Sequence, residues 1–205
     1  MNVFVVAIAG HSGAGKSTLI EKLSSLAGNS NILRIDDYDS SIYPSAVKWI
    51  EDGADPNEFQ TPQFVSDILA LKKGNSILHP ETNKEVRPAH FLFVEEPFGR
   101  GRESISGLID FSIYLDTPLE VALARRLLRM SNLPPQNNPE VTIQEHLLWY
   151  LGVGRNFYIA VERSARKSCD LIVDGTLSAD ELAETIYKTV KGKLERRNHN
   201  ERKYP

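Results

Sequence analysis

A glycine-rich stretch, GHSGAGKS at residues 10–17, constrains the fold of this chain more than any other feature of its sequence. It follows an apolar run and precedes a segment with helical periodicity, so it lies at a predicted strand-to-helix turn. Gly10, Gly13 and Gly15 allow backbone N–H groups to turn inward around phosphate oxygens, where the helix N-terminus adds a partial positive charge. The pattern in this context predicts a loop that binds the phosphates of a nucleotide. We call residues 10–17 the phosphate loop.

Two residues of the phosphate loop have predicted chemical roles. We expect Lys16 to contact the β- and γ-phosphates of ATP, and the Ser17 hydroxyl to bind magnesium. The other residues predicted to contact ATP here are Gly10, His11, Ser12, Gly13, Ala14, Gly15 and Thr18. The loop therefore predicts ATP and Mg²⁺ as the cofactors.

The composition favours a small metabolite as the partner of this chain. The 205 residues are 41% hydrophobic and 25% charged, with a net charge of -3 and a pI near 6.0, as in an ordinary globular protein. A chain with this charge has no basic surface that would favour binding to nucleic acid or to a membrane. The apolar run at the start of the sequence is too short to cross a bilayer, and it lacks the features of a signal peptide. Because Cys169 is the only cysteine, no internal disulfide can form, which fits a cytoplasmic protein.

Short apolar runs that do not alternate with polar residues predict buried parallel strands. These runs lie at residues 3–9, 32–35, 91–94, 113–115 and 171–173. Helical segments separate them. The predicted class is α/β, with a five-stranded parallel sheet and helices on both faces.

Capping signals mark the predicted helix starts. Thr61 precedes a proline suited to the first helical position, and Gly74 supplies a stop for the same helix. The spacing of a capping box follows Thr117, Thr142 and Ser178. We therefore expect helices to begin directly after these residues.

Three further segments stand apart from this pattern. Residues 75–90 predict a small hairpin-like insertion, and residues 125–141 an arginine-bearing lid. The lid contains SNLPPQNNPE at residues 131–140, which is typical of a mobile loop. The basic tail at residues 191–205 fits either a solvated helix end or a docking segment.

Two classes of phosphate-loop protein fit the sequence poorly. A GTPase needs a guanine-reading N-K-x-D sequence, and the nearest approach, residues 83–86, has Val86 where the acid is required. A remodelling ATPase places two acids after an apolar strand, as FLFVEE does here, but it brings a larger second domain than this chain can hold. A small-molecule kinase is the class that remains.

Phosphoryl transfer needs a base for the acceptor hydroxyl and cations around the transferred group. Asp36 follows the second strand at the carboxyl edge of the sheet, so it is the candidate base; the alternative is that it only caps a turn. Arg125, Arg126 and Arg129 crowd the end of a helix, where two guanidiniums could swing over the phosphates. The alternative for these arginines is that they complement the helix dipole.

The sequence resembles the uridine kinase and nicotinamide riboside kinase group of P-loop kinases along residues 3–189. The segments that carry the resemblance are GHSGAGKST, DDYD, FVEEPFG, LDTPLEVALARRLLR and DLIVDG, in that order. The resemblance implies the P-loop NTPase fold, with a P-loop kinase domain over residues 1–190.

The resemblance implies roles for individual residues. Asp36 matches the general base, and Asp37 and Tyr38 follow it in the segment that contacts the acceptor. Glu95 matches the glutamate that helps to hold magnesium, although one gap in the match would select Glu96.

Three residues later in the chain have implied roles as well. Arg126 matches the arginine near substrate and transferred phosphate, and Arg129 an arginine of the lid. Arg125 belongs to the same arginine-bearing helix, and Gly175 lies in the segment that borders the adenine.

The sequence departs from uridine kinases on the acceptor side. Those enzymes carry F-D-H-P, whose aspartate holds the ribose diol, whereas residues 59–62 here read FQTP. The matching residue is Gln60, whose amide can bind a diol without the strength that a charge adds. The hairpin residues that read the base in uridine kinases have no counterpart here.

We therefore expect an ATP-dependent phosphotransferase that acts on a hydroxyl of a small metabolite, with a nucleoside or riboside-like compound as the leading acceptor. Two alternatives keep the phosphate loop without kinase activity: a nucleotide-binding regulatory protein and an ATPase that depends on a partner. The sequence leaves the oligomeric state open, with a homo-oligomer as one option.

Overall fold

The computed structural model describes residues 3–132 and 142–203, and it confirms the α/β class. The strands are β1 Phe4–Ala9, β2 Ser30–Arg34, β3 Ile77–Leu78, β4 Glu85–Val86, β5 Phe91–Glu95, β6 Phe111–Asp116 and β7 Leu171–Asp174. Five of them form one parallel sheet in the order β2-β5-β1-β6-β7, and all five were predicted. The central strand, β1, leads directly into the phosphate loop.

The helices cover both faces of this sheet. They are α1 Lys16–Ala27, α2 Ala46–Glu51, α3 Pro62–Lys72, α4 Glu103–Ser106, α5 Leu119–Ser131, α6 Ile143–Trp149, α7 Arg155–Ser168 and α8 Ala179–Lys203. A π-helical turn, Tyr150–Gly154, joins α6 to α7. No helix within the described residues is long and apolar enough to cross a bilayer.

The side chains of β1 divide the core into two layers, because successive residues of a strand point to opposite faces. Val6 and its alternate neighbours pack with α1 and α8, while Val5 and its alternate neighbours pack with α3. All six residues of β1 are buried. A strand covered on both faces has no polar side, which explains the uninterrupted apolar run.

The helix start predicted after Thr117 is wrong by one residue, whereas the start after Thr61 is confirmed with an unexpected partner for the hydroxyl. Thr117 does not cap α5, whose N-cap residue is Pro118, and its hydroxyl instead donates to the Ala14 carbonyl at 2.9 Å. Thr61 is the N-cap residue of α3, but its hydroxyl accepts from Arg102. In both cases a partner that is distant in sequence takes the hydroxyl that local spacing assigns to a cap.

The other helix signals are confirmed. Thr142 and Glu145 form a reciprocal capping box at the start of α6. Before α8, the Glu181 N–H donates to the Ser178 hydroxyl at 3.3 Å, and that hydroxyl donates to the Glu181 carboxylate at 2.7 Å. Helix α3 ends at Lys72, just before the predicted stop at Gly74.

The hairpin-like insertion is present as an antiparallel pair, β3 with β4. Most of the predicted mobile loop lies outside the described residues, since α5 ends at Ser131 and residues 133–141 are not described. Helix α8 continues past residue 190, and the Arg197 guanidinium contacts Asp110 at 3.0 Å and the Phe4 ring. The first part of the predicted basic tail is therefore a packed continuation of α8.

A fully buried ion pair ties the end of β5 to the segment before α3. Both Glu96 and Arg102 are 0% exposed, and the guanidinium binds both carboxylate oxygens. The same guanidinium donates to the Phe59 carbonyl and to the Thr61 hydroxyl at 2.7 Å. This network fixes the segment from Phe59 to Thr61 beside the carboxyl end of the sheet, where the candidate site lies.

Breaking this pair should destabilise the whole protein. The substitution Arg102→Met leaves the Glu96 carboxylate buried without its partner, so we expect the free energy of unfolding to fall by about 3–5 kcal/mol. Urea unfolding followed by circular dichroism measures this loss.

The exposed pair of Lys22 with Asp180 supplies the control. The two side chains are 43% and 73% exposed, so Lys22→Met should change the free energy of unfolding by less than about 1 kcal/mol. Equal losses in the two variants would contradict the structural role of Arg102.

Candidate active site

A cavity of about 620 Å³ opens at the carboxyl edge of the sheet, and we call it the main cavity. Most of the residues predicted from the sequence meet in its wall. They are His11, Ser12, Gly13, Gly15, Lys16, Ser17, Thr18, Asp36, Glu95, Arg125, Arg126 and Arg129. Residues from the phosphate loop, from the end of β2, from the end of β5 and from α5 therefore share one space.

Helix α5 and the turn before it hold the carbonyl groups of the phosphate loop. The Ala14 carbonyl accepts hydrogen bonds from the Thr117 hydroxyl and from Arg125 Nη1, at 2.9 and 3.0 Å. The Ser12 carbonyl accepts from Arg126 Nη1. Because these carbonyls bond outward, the N–H groups of the loop remain the groups suited to phosphate oxygens.

His11 belongs to the same framework. Its ring is 1% exposed, and Nε2 donates to the Thr117 carbonyl at 2.9 Å. Burial lowers the pKa of His11, so the ring is neutral at pH 7 and serves to join the loop to the turn before α5.

Glu95 lies between the two phosphate-loop residues that have predicted chemical roles. Its carboxylate accepts a hydrogen bond from the Ser17 hydroxyl at 2.9 Å and lies 3.3 Å from Lys16 Nζ. Glu96 points into the protein and pairs with Arg102. Of the two glutamates, only Glu95 faces the phosphate loop.

Ser17 and Glu95 fit a magnesium ion in their chemistry. A hydroxyl and a carboxylate oxygen are the hard ligands that Mg²⁺ prefers, and they already lie within hydrogen-bond distance. Within residues 3–132 and 142–203, no group of three or more His, Cys, Asp and Glu side chains could hold a metal ion. Two protein ligands are usual for Mg²⁺, which keeps several waters and binds substrate phosphates as well.

Asp36 sits on a short 3₁₀ turn, Ile35–Asp37, that follows β2. Partial burial disfavours the charged carboxylate and so raises the pKa of Asp36. Repulsion from the Glu95 carboxylate raises this pKa further, whereas the charge of Lys16 lowers it. The side chain remains exposed to solvent through the mouth of the cavity, so it retains access to a small molecule. A carboxylate with a raised pKa is a stronger base than an ordinary aspartate.

Arg126 is held in an aromatic cage that sequence analysis missed. Its guanidinium lies 4.5 Å from the centre of the Tyr158 ring and 5.5 Å from that of Tyr150, and Nε contacts His146 at 3.3 Å. The residue is 2% exposed, and Nη2 has no hydrogen-bond partner among the described groups. Tyr150 is the first residue of the π-helical turn and Tyr158 lies on α7, and no local sequence pattern identifies such a turn.

A second cavity, of about 250 Å³, adjoins the phosphate loop on the side of β7. Its wall includes Gly15, Thr18, Arg125 and Gly175, and Arg125 Nη2 donates to the Gly175 carbonyl at 3.1 Å. Arg125 therefore links the loop before α1 to the loop after β7. The predicted ATP residue Gly175 borders this cavity rather than the main one.

Three residues that were predicted to contact the acceptor do not line the main cavity. The Tyr38 hydroxyl donates to Asp67 at 2.9 Å, and its ring is buried in the core. Asp37 lies 3.5 Å from His79 of the hairpin-like insertion, and Gln60 is exposed to solvent. For Asp37 and Gln60 the preceding residue, Asp36 or Phe59, lines the cavity instead.

Sequence analysis also missed the aromatic wall, which we define as Tyr43, Phe59, Phe98 and Phe157. Phe59 packs edge-on against Tyr43 with ring centres 5.1 Å apart, and tilted against Phe98 at 5.2 Å. Trp49 supports the wall from behind at 0% exposure. These four residues come from separated parts of the chain, so no local sequence pattern indicates that they share one wall.

Comparisons with known proteins agree with this site. The sequence model of the Phosphoribulokinase / Uridine kinase family matches residues 52–132. A uridine kinase from Borrelia duttonii is 27% identical over 183 residues, which cover 83% of this chain and 86% of that protein. A phosphoribulokinase from Synechocystis is 29% identical over 138 residues, which cover 62% of this chain and 42% of that protein.

A solved structure supports the fold independently. Shikimate kinase from Acinetobacter baumannii, in complex with shikimate, superimposes with a TM-score of 0.50 at 17% identity, over 93% of this chain and 94% of that chain. This likeness concerns the fold alone and confirms the P-loop kinase architecture. The sequence matches confirm the resemblance to the uridine kinase-like group, and they support a kinase that acts on a small molecule.

The phosphate loop should not tolerate a side chain at Gly13. A Cβ atom there would lie 2.5 Å from the Ala122 carbonyl oxygen, and the φ of +82° is strained for any residue that carries one. We expect Gly13→Ala to weaken binding of a non-hydrolysable ATP analogue by at least about tenfold, because both effects distort the loop. Isothermal titration calorimetry measures the affinity.

Gly28 is the matched control. It also has a positive φ, +67°, but a Cβ atom there would meet nothing within 4 Å. Gly28→Ala should cost about 1–2 kcal/mol of stability and leave the affinity for the ATP analogue unchanged. Wild-type affinity in Gly13→Ala would show that the contact with Ala122 does not shape the loop.

Proposed function

We propose that this uridine kinase-like chain transfers the γ-phosphate of MgATP to a hydroxyl of an uncharged nucleoside or riboside-like compound. The observation that carries the proposal is that Asp36 shares the main cavity with Lys16 and Glu95 and interacts electrostatically with both. A base, a phosphate-binding lysine and a carboxylate suited to a metal are the groups that phosphoryl transfer requires.

Asp36 is the proposed base. Its carboxylate accepts the proton of the acceptor hydroxyl as that oxygen bonds to the γ-phosphorus, and the bond from this phosphorus to the bridging oxygen of ADP breaks. The raised pKa of Asp36 favours proton uptake during this step. Deprotonation to solvent after release of the product restores the base.

Lys16, Ser17 and Glu95 are the proposed groups on the phosphate side. Lys16 is 8% exposed and already directed towards the site by its bond to the His11 carbonyl at 3.2 Å. Ser17 and Glu95 would hold Mg²⁺, which neutralises charge on the phosphates when it is bound. Arg126 and Arg129 are the proposed cations around the transferred group, and the aromatic cage keeps Arg126 in position.

The charges of the cavity wall support an uncharged acceptor. Its basic side chains are Lys16, Arg125, Arg126 and Arg129, which come from α1 and α5. Among the described residues, the rest of the lining contains no Lys or Arg and includes the rings of the aromatic wall. A sugar phosphate would need a cation of its own there, whereas a compound with a flat apolar ring would pack against the aromatic wall.

The proposed chemistry is tested by ADP release from MgATP across a panel of acceptors: uridine, cytidine, nicotinamide riboside, pantothenate, simple sugars and ribulose 5-phosphate. We expect an uncharged riboside to stimulate release in the wild type. Asp36→Asn should lower kcat with that acceptor by about 10²- to 10⁴-fold, because the hydroxyl loses its base, and should leave the KM for ATP unchanged.

Asp37→Asn is the matched control, since this carboxylate is the sequence neighbour of Asp36 but faces His79 outside the cavity wall. It should retain turnover. Full activity in Asp36→Asn would refute the assignment of the base. ATP binding without stimulated release by any acceptor would favour a nucleotide-binding regulatory protein, and slow hydrolysis without an acceptor would favour a partner-dependent ATPase.

The metal proposal is tested by titrating MgCl₂ at fixed ATP. Glu95→Gln should raise the magnesium concentration needed for half-maximal rate by about tenfold or more, because a neutral amide is a weaker ligand for a hard cation than a carboxylate. Glu96→Gln should lower stability through its pair with Arg102 and leave the magnesium requirement of the folded enzyme unchanged. The reverse result would assign the metal to Glu96.

A further inference from the structure

The hydroxyl of Tyr43 is a polar group in the aromatic wall that the proposed chemistry leaves unused. Tyr43 lies between the 3₁₀ turn that carries Asp36 and helix α2, and both residues line the main cavity. Its ring packs edge-on against Phe59. The hydroxyl oxygen is buried and has no hydrogen-bond partner among the described groups.

A buried hydroxyl without a partner is costly. Leaving such a group unpaired destabilises a protein by about 1–3 kcal/mol, so most buried polar side-chain atoms find a partner. Tyr43 and Arg126 are the two residues of the main cavity wall, among those described, that have such an unpaired buried atom. For Arg126 the phosphates of the substrate supply a partner, but no group of ATP is expected on the aromatic wall.

The charges around Tyr43 determine what it can bind. Burial raises the pKa of Tyr43 to about 12, and the carboxylates of Glu96 and Asp36 add to this rise against the opposing effect of Arg102. The phenol is therefore protonated at neutral pH and can donate a hydrogen bond.

We propose that the Tyr43 hydroxyl donates a hydrogen bond to an uncharged oxygen or nitrogen atom of the phosphate acceptor, and so helps to determine acceptor specificity. This inference rests on the proposed kinase function. The acceptor would be held at two points, by Asp36 at the reacting hydroxyl and by Tyr43 at a second polar atom. A compound that lacks the second atom leaves the phenol unpaired and binds less well.

Tyr43→Phe tests this role with little change to the packing, because the ring and its contact with Phe59 are retained. The measurement is steady-state kinetics with the panel acceptor that gives the highest kcat/KM in the wild type, chosen from uridine, cytidine and nicotinamide riboside. We expect kcat/KM for that acceptor to fall about tenfold, mainly through KM, as one neutral hydrogen bond is lost. The KM for ATP and the rate of ATP hydrolysis without an acceptor should not change.

Tyr114→Phe is the matched control. Tyr114 is also a buried tyrosine, at 0% exposure, but its nearest charged neighbour is Arg166 and it lies outside both cavities. Removal of its hydroxyl should leave the kinetics for both substrates at wild-type values. A fall in kcat/KM in both variants would point to a general effect of removing buried hydroxyls and would overturn the role of Tyr43.

The outcomes separate this inference from the proposed function. Wild-type turnover with an unchanged acceptor KM in Tyr43→Phe overturns the assignment of Tyr43 and leaves the kinase proposal intact. A wild-type protein that transfers phosphate to no uncharged acceptor overturns the kinase proposal, and the inference that rests on it falls as well. A tenfold rise in the acceptor KM that is confined to Tyr43→Phe supports both.

Discussion

The geometry of the site depends on hydrogen bonds to the backbone carbonyls of the phosphate loop. Thr117, Arg125 and Arg126 donate to the carbonyls of Ser12 and Ala14, so the loop is held from the side of α5. A loop with three glycines has many accessible conformations, and these bonds select one of them. Arg125 and Arg126, whose sequence pattern suggests phosphate binding, also shape the loop that would receive the phosphates.

Where a functional residue follows a strand at a short distance, the sequence was enough to predict its location. Lys16, Asp36 and Glu95 come shortly after or at the ends of β1, β2 and β5, and the carboxyl ends of parallel strands meet at one edge of the sheet. The same argument predicted the fold, because buried parallel strands leave an apolar run that is easy to recognise. The roles of these residues in catalysis remain predictions.

Side chains whose partners lie far along the chain could not be predicted in this way. Thr117 matches a capping box by spacing, yet its hydroxyl bonds to Ala14, 103 residues earlier. Tyr38 belongs to a motif that suggests the acceptor site, but its ring is buried in the core and its hydroxyl donates to Asp67. Tyr43 has no motif at all, and only the tertiary packing of separated aromatic residues brings it to the cavity.

The packing of α8 against α1 has a consequence for how the protein acquires its site during synthesis. Ile20 and Leu23 of α1 share one core layer with Ile186 and Val190 of α8, and Lys16 begins the same helix α1. The phosphate loop leaves the ribosome before α8 does, so the helix that follows the loop has no complete core until residues near 190 have emerged. Contacts of such long sequence separation form late in folding. The first half of α8 would therefore have to emerge from the ribosome before the phosphate loop is firmly supported.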